Sequence, residues 1–180
     1  MEHRRSFLRT ATAAASGFLS PVRAMAQRGR YTSPAAKVQS IIGGKEFSVE
    51  YYAPSMHGRK VMGGLVPFDE VWCTGANIAT GWTLGGDIAV GDLRVPKGVY
   101  SIWTLPSEKA WTLILNKEVG QFHLNYRASM DFGRTRMMVG SLSEPVETFR
   151  VELRAEGGAR GVLALIWERT EAYVGFEVLG

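Results

Sequence analysis

Beyond residue 36 this chain alternates. Apolar side chains recur at every second position in short runs, and Gly, Pro or Asp separates one run from the next. Residues 45–53 show the pattern plainly: Phe47, Val49 and Tyr51 share one face, while Glu46, Ser48 and Glu50 share the other. A period of two belongs to a strand buried on one side, because successive side chains leave a strand in opposite directions. A helical face would instead repeat about every 3.6 residues.

The runs fall at 37–42, 45–53, 80–84, 87–90, 92–95, 99–105 and 111–116, and later at 147–155, 161–169 and 172–179. Turn residues separate them. Gly43-Gly44 suits a two-residue hairpin, Pro96-Lys97-Gly98 suits a type I turn, and Gly157-Gly158 opens a closing three-strand meander. The runs themselves are rich in β-branched and aromatic residues, as packed strands are. Eight or nine strands drawn from these ten short runs predict an all-β fold, a single antiparallel sandwich or barrel-like domain with one long ordered loop over residues 37–180. Residues 118–137 are less regular, and a short helix is the one element they suggest.

The first 26 residues follow another logic. His3-Arg4-Arg5-Ser6-Phe7-Leu8-Arg9 carries the paired arginines, the Phe-Leu and the later cation of a twin-arginine export signal. An Ala-rich segment over 10–19 and the small residues of Ala24-Met25-Ala26 complete a signal peptide, with cleavage expected before Gln27. Pro21 and Arg23 end the apolar stretch well short of the roughly 20 residues that a membrane helix needs. The expected destination is the periplasm or the exterior, with no stable membrane span after cleavage. Residues 27–36, polar and broken by Pro34, read as a flexible leader.

Cleavage also changes the charge. Arg4, Arg5, Arg9 and Arg23 leave with Glu2, which takes the 21 cations and 17 anions of the full chain to 17 and 16. The apparent basicity belongs to the signal, so a nucleic-acid partner is not expected. A lone cysteine, Cys73, rules out an internal disulfide. A domain of this length manages without one, since it buries roughly two thirds of its unfolded surface.

Residues 54–84 depart from alternation. Gly58, Gly63, Gly64 and Gly75, with Pro54 and Pro67, imply a long folded-back loop. Met62, Leu65, Val66, Phe68, Val71 and Trp72 make that loop too apolar to be disordered, so it is expected to be ordered and to pack over one end of the sheet. Trp72, inside the apolar run, is expected to be buried. Loops of this length in a small domain are commonly functional.

The run from Gly58-Arg59 through Gly64-Leu65-Val66-Pro67, Val71-Trp72 and Thr74-Gly75-Ala76-Asn77 to Ala79-Thr80 resembles a bacterial family, domain of unknown function 2911. Pro96-Lys97-Gly98-Val99-Tyr100-Ser101, Trp111-Thr112 with Asn116, residues 131–137 and the strands around Trp167 extend the resemblance over nearly all of the expected mature chain. It implies an exported β-rich domain and brings no assigned reaction. Members commonly carry arginine where this chain has Cys73 and often glutamate where it has Ile78, which suggests an ion pair replaced by two apolar residues.

Candidates for chemistry are few. His57 and His123 are the histidines that survive processing. The resemblance puts lysine or arginine more often at the position of His57, and neither cycles a proton near neutrality. His123 and Asp131 alone make no triad, and no serine sits in a nucleophile elbow. Zinc-type ligand spacings and phosphate-cradling loops are absent from the sequence, so neither metal nor cofactor is expected.

The candidate ligand contacts are Arg59, Trp72, Asn77, Trp82 and His123. Arg59 is expected to clamp the loop by pairing with Asp69 or Glu70, or else to meet an anion. Asn77 is expected to shape a turn, or else to present its amide. Most tryptophans belong to a core, and any exposed ones would form an aromatic wall. The function is thus open: a non-catalytic periplasmic binding or interaction module is the leading expectation, its partner a small molecule, a sugar or an envelope protein. A small hydrolase or isomerase using carboxylates and a histidine is the alternative, and a structural envelope-docking domain is the third reading.

Overall fold

Gly43 and Gly44 have φ angles of 58° and 72°, the left-handed values that a tight hairpin needs. They join β1 (Ala35–Ile42) to β2 (Lys45–Tyr52), paired along their whole length. The computed structural model describes residues 33–180; the expected signal peptide and most of the expected leader lie outside them. β1 begins at Ala35, two residues before the alternation predicts.

The remaining strands are β3 (Thr80–Leu84), β4 (Ile88–Val90), β5 (Leu93–Val95), β6 (Gly98–Leu105), β7 (Trp111–Asn116), β8 (Asp131–Gly157) and β9 (Arg160–Val178). They form one nine-stranded sheet in the order β1-β2-β3-β6-β7-β8-β9-β4-β5. Every ladder between named strands is antiparallel. The all-β class and the strand number therefore agree with the alternation. The sheet is not closed into a barrel, because β1 and β5 remain its unpaired ends.

β8 turns this single sheet into two layers. Its first residues, Asp131 to Met137, pair with β7, and from Met138 onward it pairs with β9. The sheet folds over at that strand and brings its two halves face to face. Phe47 of β2 and Trp82 of β3 pack on Phe176 of β9 at 5.4 and 5.3 Å, and Tyr51 of β2 meets Phe149 of β8 at 5.6 Å. One buried apolar cluster, with Val49, Leu84, Leu113, Leu163 and Leu165 among its members, fills the space between the layers.

Two expectations need correction. Residues 131–146 are strand, although they carry no clear alternation. Most of 138–146 is exposed or half-exposed on both faces, so solvent imposes no period on the sequence. Likewise, 161–169 and 172–179 are one continuous strand, β9, rather than two. The polar Arg169-Thr170-Glu171 resembles a turn, but Thr170 and Glu171 pair with β8. The bend is made instead at Glu168, whose φ is 54°, opposite register shifts in β8 around Val146. Within 118–137 the short helix is a single 3₁₀ turn, Ala128–Met130.

The long loop after β2 is ordered, as expected. Pro54 to Met56 runs along β8, with Met56 N–H donating to Glu147 O (2.9 Å) and Phe149 N–H donating to Pro54 O (2.9 Å). Val61, Met62 and Val66 are buried in the core. Glu168 accepts a hydrogen bond from Met62 N–H at 3.0 Å, which ties the bend of β9 to the loop. Trp72 and Thr104 exchange backbone hydrogen bonds of 2.8 and 2.9 Å, so the loop returns to the sheet along β6.

Candidate functional site

Where the loop returns, it leaves a groove of about 500 Å³, and Arg59, Trp72, Asn77 and His123 all line it. Four of the five candidate residues are thus brought together. The fifth is not. Trp82 is fully buried, on the same face of β3 as Thr80 and Leu84, and packs edge-on against Phe176. Its indole Nε1 has no hydrogen-bond partner among the described residues. It belongs to the core.

Trp72 forms part of the groove wall. Its ring lies 6.0 Å from that of Trp167 with an interplanar angle of 23°, and it meets Phe149 and Trp111 edge-on at 5.2 and 6.1 Å. Its Nε1 donates to Gly75 O at 3.1 Å. Trp72 is half-buried rather than buried, because the groove opens beside it, while Trp167 is 3 % exposed. Exposed Leu65 and Leu124 also line the opening, at 42 % and 76 % exposure. Trp167 and Leu124 were not readable as site residues, since only the fold places β9 and the 118–124 segment beside the loop, whereas Leu65 belongs to the loop itself.

The turn from Cys73 to Thr80 is backbone under strain. Thr74 has a φ of 57° and Asn77 one of 61°; the left-handed region is uncommon for any residue but glycine and a clear outlier for a β-branched one. Thr74 is held there by full burial, by its hydroxyl against that of Thr104 (3.2 Å), and by its carbonyl, which accepts from Thr80 Oγ1 at 2.6 Å. Strain of this kind persists where the surroundings over-determine it, and it collects at binding sites. Asn77 fits the turn-forming expectation. Its Nδ2 donates to Ser33 O at 3.3 Å, and its carbonyl accepts from His123 N–H at 3.0 Å.

The same carbonyl lies 3.1 Å from His123 Nδ1. A carbonyl cannot donate, so Nδ1 carries the proton and Nε2 is the ring nitrogen left free. His123 is therefore oriented by a backbone carbonyl. Asp131 lies elsewhere in the polar order: it accepts from Tyr126 Oη (2.7 Å), Arg134 Nη2 (2.8 Å) and Asn116 Nδ2 (2.9 Å).

Arg59 does not pair with Asp69 or Glu70. Its Nε donates to Met56 O at 2.9 Å and its Nη2 to Ser55 O at 3.0 Å, so the end of the Pro54–Met56 segment supplies its acceptors. Asp69 is turned away instead, in a left-handed turn whose N–H donates to Pro106 O. The guanidinium is exposed, fixed at one edge, and has no carboxylate partner among the described residues.

Cys73 is buried with Ala79, Trp103 and Ile114. Burial pushes its thiol from an ordinary 9.0 up to about 12, against smaller opposing effects of backbone hydrogen bonding at Gly75 and Cys73. It stays protonated at neutral pH and is a poor nucleophile. Ile78 bridges Phe122 and lines a second groove with Tyr52 and Val119, outside the Cys73 cluster. No group of three His, Cys, Asp or Glu side chains among the described residues is placed to hold a metal ion.

The family model for DUF2911, described as a protein of unknown function, matches residues 33–176. The chain belongs to the DUF2911 family. That match spans the whole sheet up to Phe176 in β9, so the groove is a feature of this DUF2911 domain itself. No curated protein and no solved structure matches the chain. No helix among the described residues of this DUF2911 protein is long and apolar enough to cross a membrane.

Proposed function

We propose that this DUF2911 domain is a non-catalytic binding module that holds a small ligand in the groove beside Trp72. One observation carries the reading: a fixed guanidinium, an oriented imidazole and a stacked tryptophan pair meet at a single opening flanked by exposed leucines. Aromatic walls with a few convergent polar groups are the usual form of a small-molecule site, and about 500 Å³ lies within the usual range. The hydrolase or isomerase alternative draws less support. No carboxylate lines the groove, so His123 has no second acid–base side chain beside it there.

A thermal-shift screen of small molecules on the purified protein tests the reading, with Trp72→Phe as control. A ligand at 100 times its dissociation constant adds about 2.7 kcal/mol to stability. A true groove ligand loses much of that gain in the control. Ligands that stabilise both proteins equally place the site elsewhere.

We also propose that the module works after export through the twin-arginine route, on the strength of Arg4-Arg5 and Phe7-Leu8, which lie outside the described residues. Replacing both arginines with lysine should trap the precursor in the cytoplasm. Unchanged appearance of the protein outside rejects the proposal.

A further inference from the structure

Resting on that reading, we infer that the groove takes a small monocarboxylate with an aromatic or branched aliphatic body. The argument begins with which polar groups remain available. Arg59 uses one edge of its fork on Met56 O and Ser55 O, which fixes the plane of the guanidinium and leaves its other N–H groups unclaimed. No Asp or Glu lines the groove to neutralise it. A planar carboxylate matches such a fork with charge-assisted hydrogen bonds, roughly twice as strong as neutral ones.

The acceptors are in the opposite condition. Gly75 O already accepts from Trp72 Nε1 and Cys73 Sγ, and Asn77 O already accepts from the backbone and ring of His123. Beyond His123 Nε2, a sugar or an ammonium ion, rich in donors, finds little left to accept its protons; an anion, which brings acceptors, does not need any. The walls select the body. Trp72, Leu65, Leu124 and Val66 offer flat and aliphatic surface without further charge, so a ligand with several charges would leave all but one unpaired.

Phenylacetate, phenylacetamide and phenethylamine share one body and differ in the head group, as anion, neutral amide and cation. Titration of the full protein, followed by tryptophan fluorescence and by calorimetry, should show phenylacetate binding at least tenfold more tightly than either of the others. Arg59→Gln should lower phenylacetate affinity about tenfold or more and leave phenylacetamide unchanged, while Arg59→Lys recovers part of the loss. Unchanged melting of both variants excludes a general effect on the fold.

Equal binding of the amide or the amine overturns the carboxylate assignment, and if that binding depends on Trp72 the groove itself stands. Indifference of phenylacetate to Arg59→Gln overturns it as well, as does the absence of binding by both phenylacetate and 4-methylpentanoate. A peptide ending in phenylalanine that binds more tightly than the free acid overturns the choice of a free small molecule. The groove reading fails separately, when no ligand from the broad screen depends on Trp72.

Discussion

Trp72 and Trp167 lie nearly parallel, with planes inclined by 23° and ring centroids 6.0 Å apart, though 95 residues separate them in sequence. The stack joins the long loop to β9. It makes one residue serve both the fold and the groove, because the half-buried Trp72 borders the opening while Trp167 packs it from the core side. Stability and binding are therefore expected to separate by substitution at this position.

Trp72→Ala should cost about 3 kcal/mol, the low end for emptying an aromatic site, since part of the ring already meets solvent. Trp72→Phe keeps most of the contact with Phe149 and Trp111 and should cost less. Urea unfolding of both variants measures the difference. A loss below about 1 kcal/mol for the alanine variant would mean that the loop is held by its backbone ladder to Thr104 rather than by the stack.

Cys73 should resist alkylation in the folded protein and react when urea opens it, because burial holds the thiol protonated. The same burial makes stability depend on alkaline pH. An acid whose pKa is raised by folding stabilises the folded state fully below its unfolded value, and that contribution is lost as pH rises through the folded value. For Cys73 the window runs from 9.0 to about 12. Tyr126 acts in the same direction from 10.0 to about 12, raised first by burial and then by its hydrogen bond to Asp131 and the nearby charge. Unfolding curves at pH about 8 and about 10.5 should show falling stability, with a shallower fall in Cys73→Ala. A slope unchanged by that substitution rejects the role of the thiol.

Asp131 should be the residue that fixes the 117–130 segment. It gathers Tyr126, Arg134 and Asn116, and Asn116 is fully buried. Asp131→Ala removes the acceptor of all three side chains and should cost about 3 kcal/mol, the upper end for leaving buried polar groups such as the Asn116 amide unsatisfied, since Arg134 itself is exposed. Tyr126→Phe alone should cost less, about 1 to 2 kcal/mol. A double-mutant cycle between the two should give a coupling of at least about 0.5 kcal/mol, and additive losses would show that the tyrosine draws nothing from the carboxylate.

Much of this architecture is legible in the alternation, and its failures have physical causes. Thr80, Trp82 and Leu84 share the buried face of β3, so period two alone would have assigned Trp82 to the core. The first half of β8 shows no period because solvent reaches both of its faces. Arg59 illustrates a different limit. Acidic neighbours in sequence suggested an ion pair, yet carbonyls at Ser55 and Met56 lie closer in the folded loop. The convergence of Arg59, Trp72 and Asn77 was foreshadowed by one glycine-framed loop, whereas the approach of Trp167 and His123 depends on how the sheet folds over at β8.

Asn77 provides the last test, because its two roles separate cleanly. Its left-handed backbone presents the carbonyl that orients His123, and its amide holds Ser33 O. Asn77→Gly keeps the backbone without strain and removes only the amide, so a stability loss of about 0.5 to 1.5 kcal/mol is expected. Asn77→Val also loses the amide and adds the strain of a β-branched residue at positive φ, about 1 to 2 kcal/mol more. In the binding assay the glycine variant should hold its ligand as the parent does, while the valine variant should weaken it as the turn and His123 shift. If the glycine variant instead loses the ligand with its fold intact, the amide itself makes the contact, and Asn77 acts directly on the bound molecule.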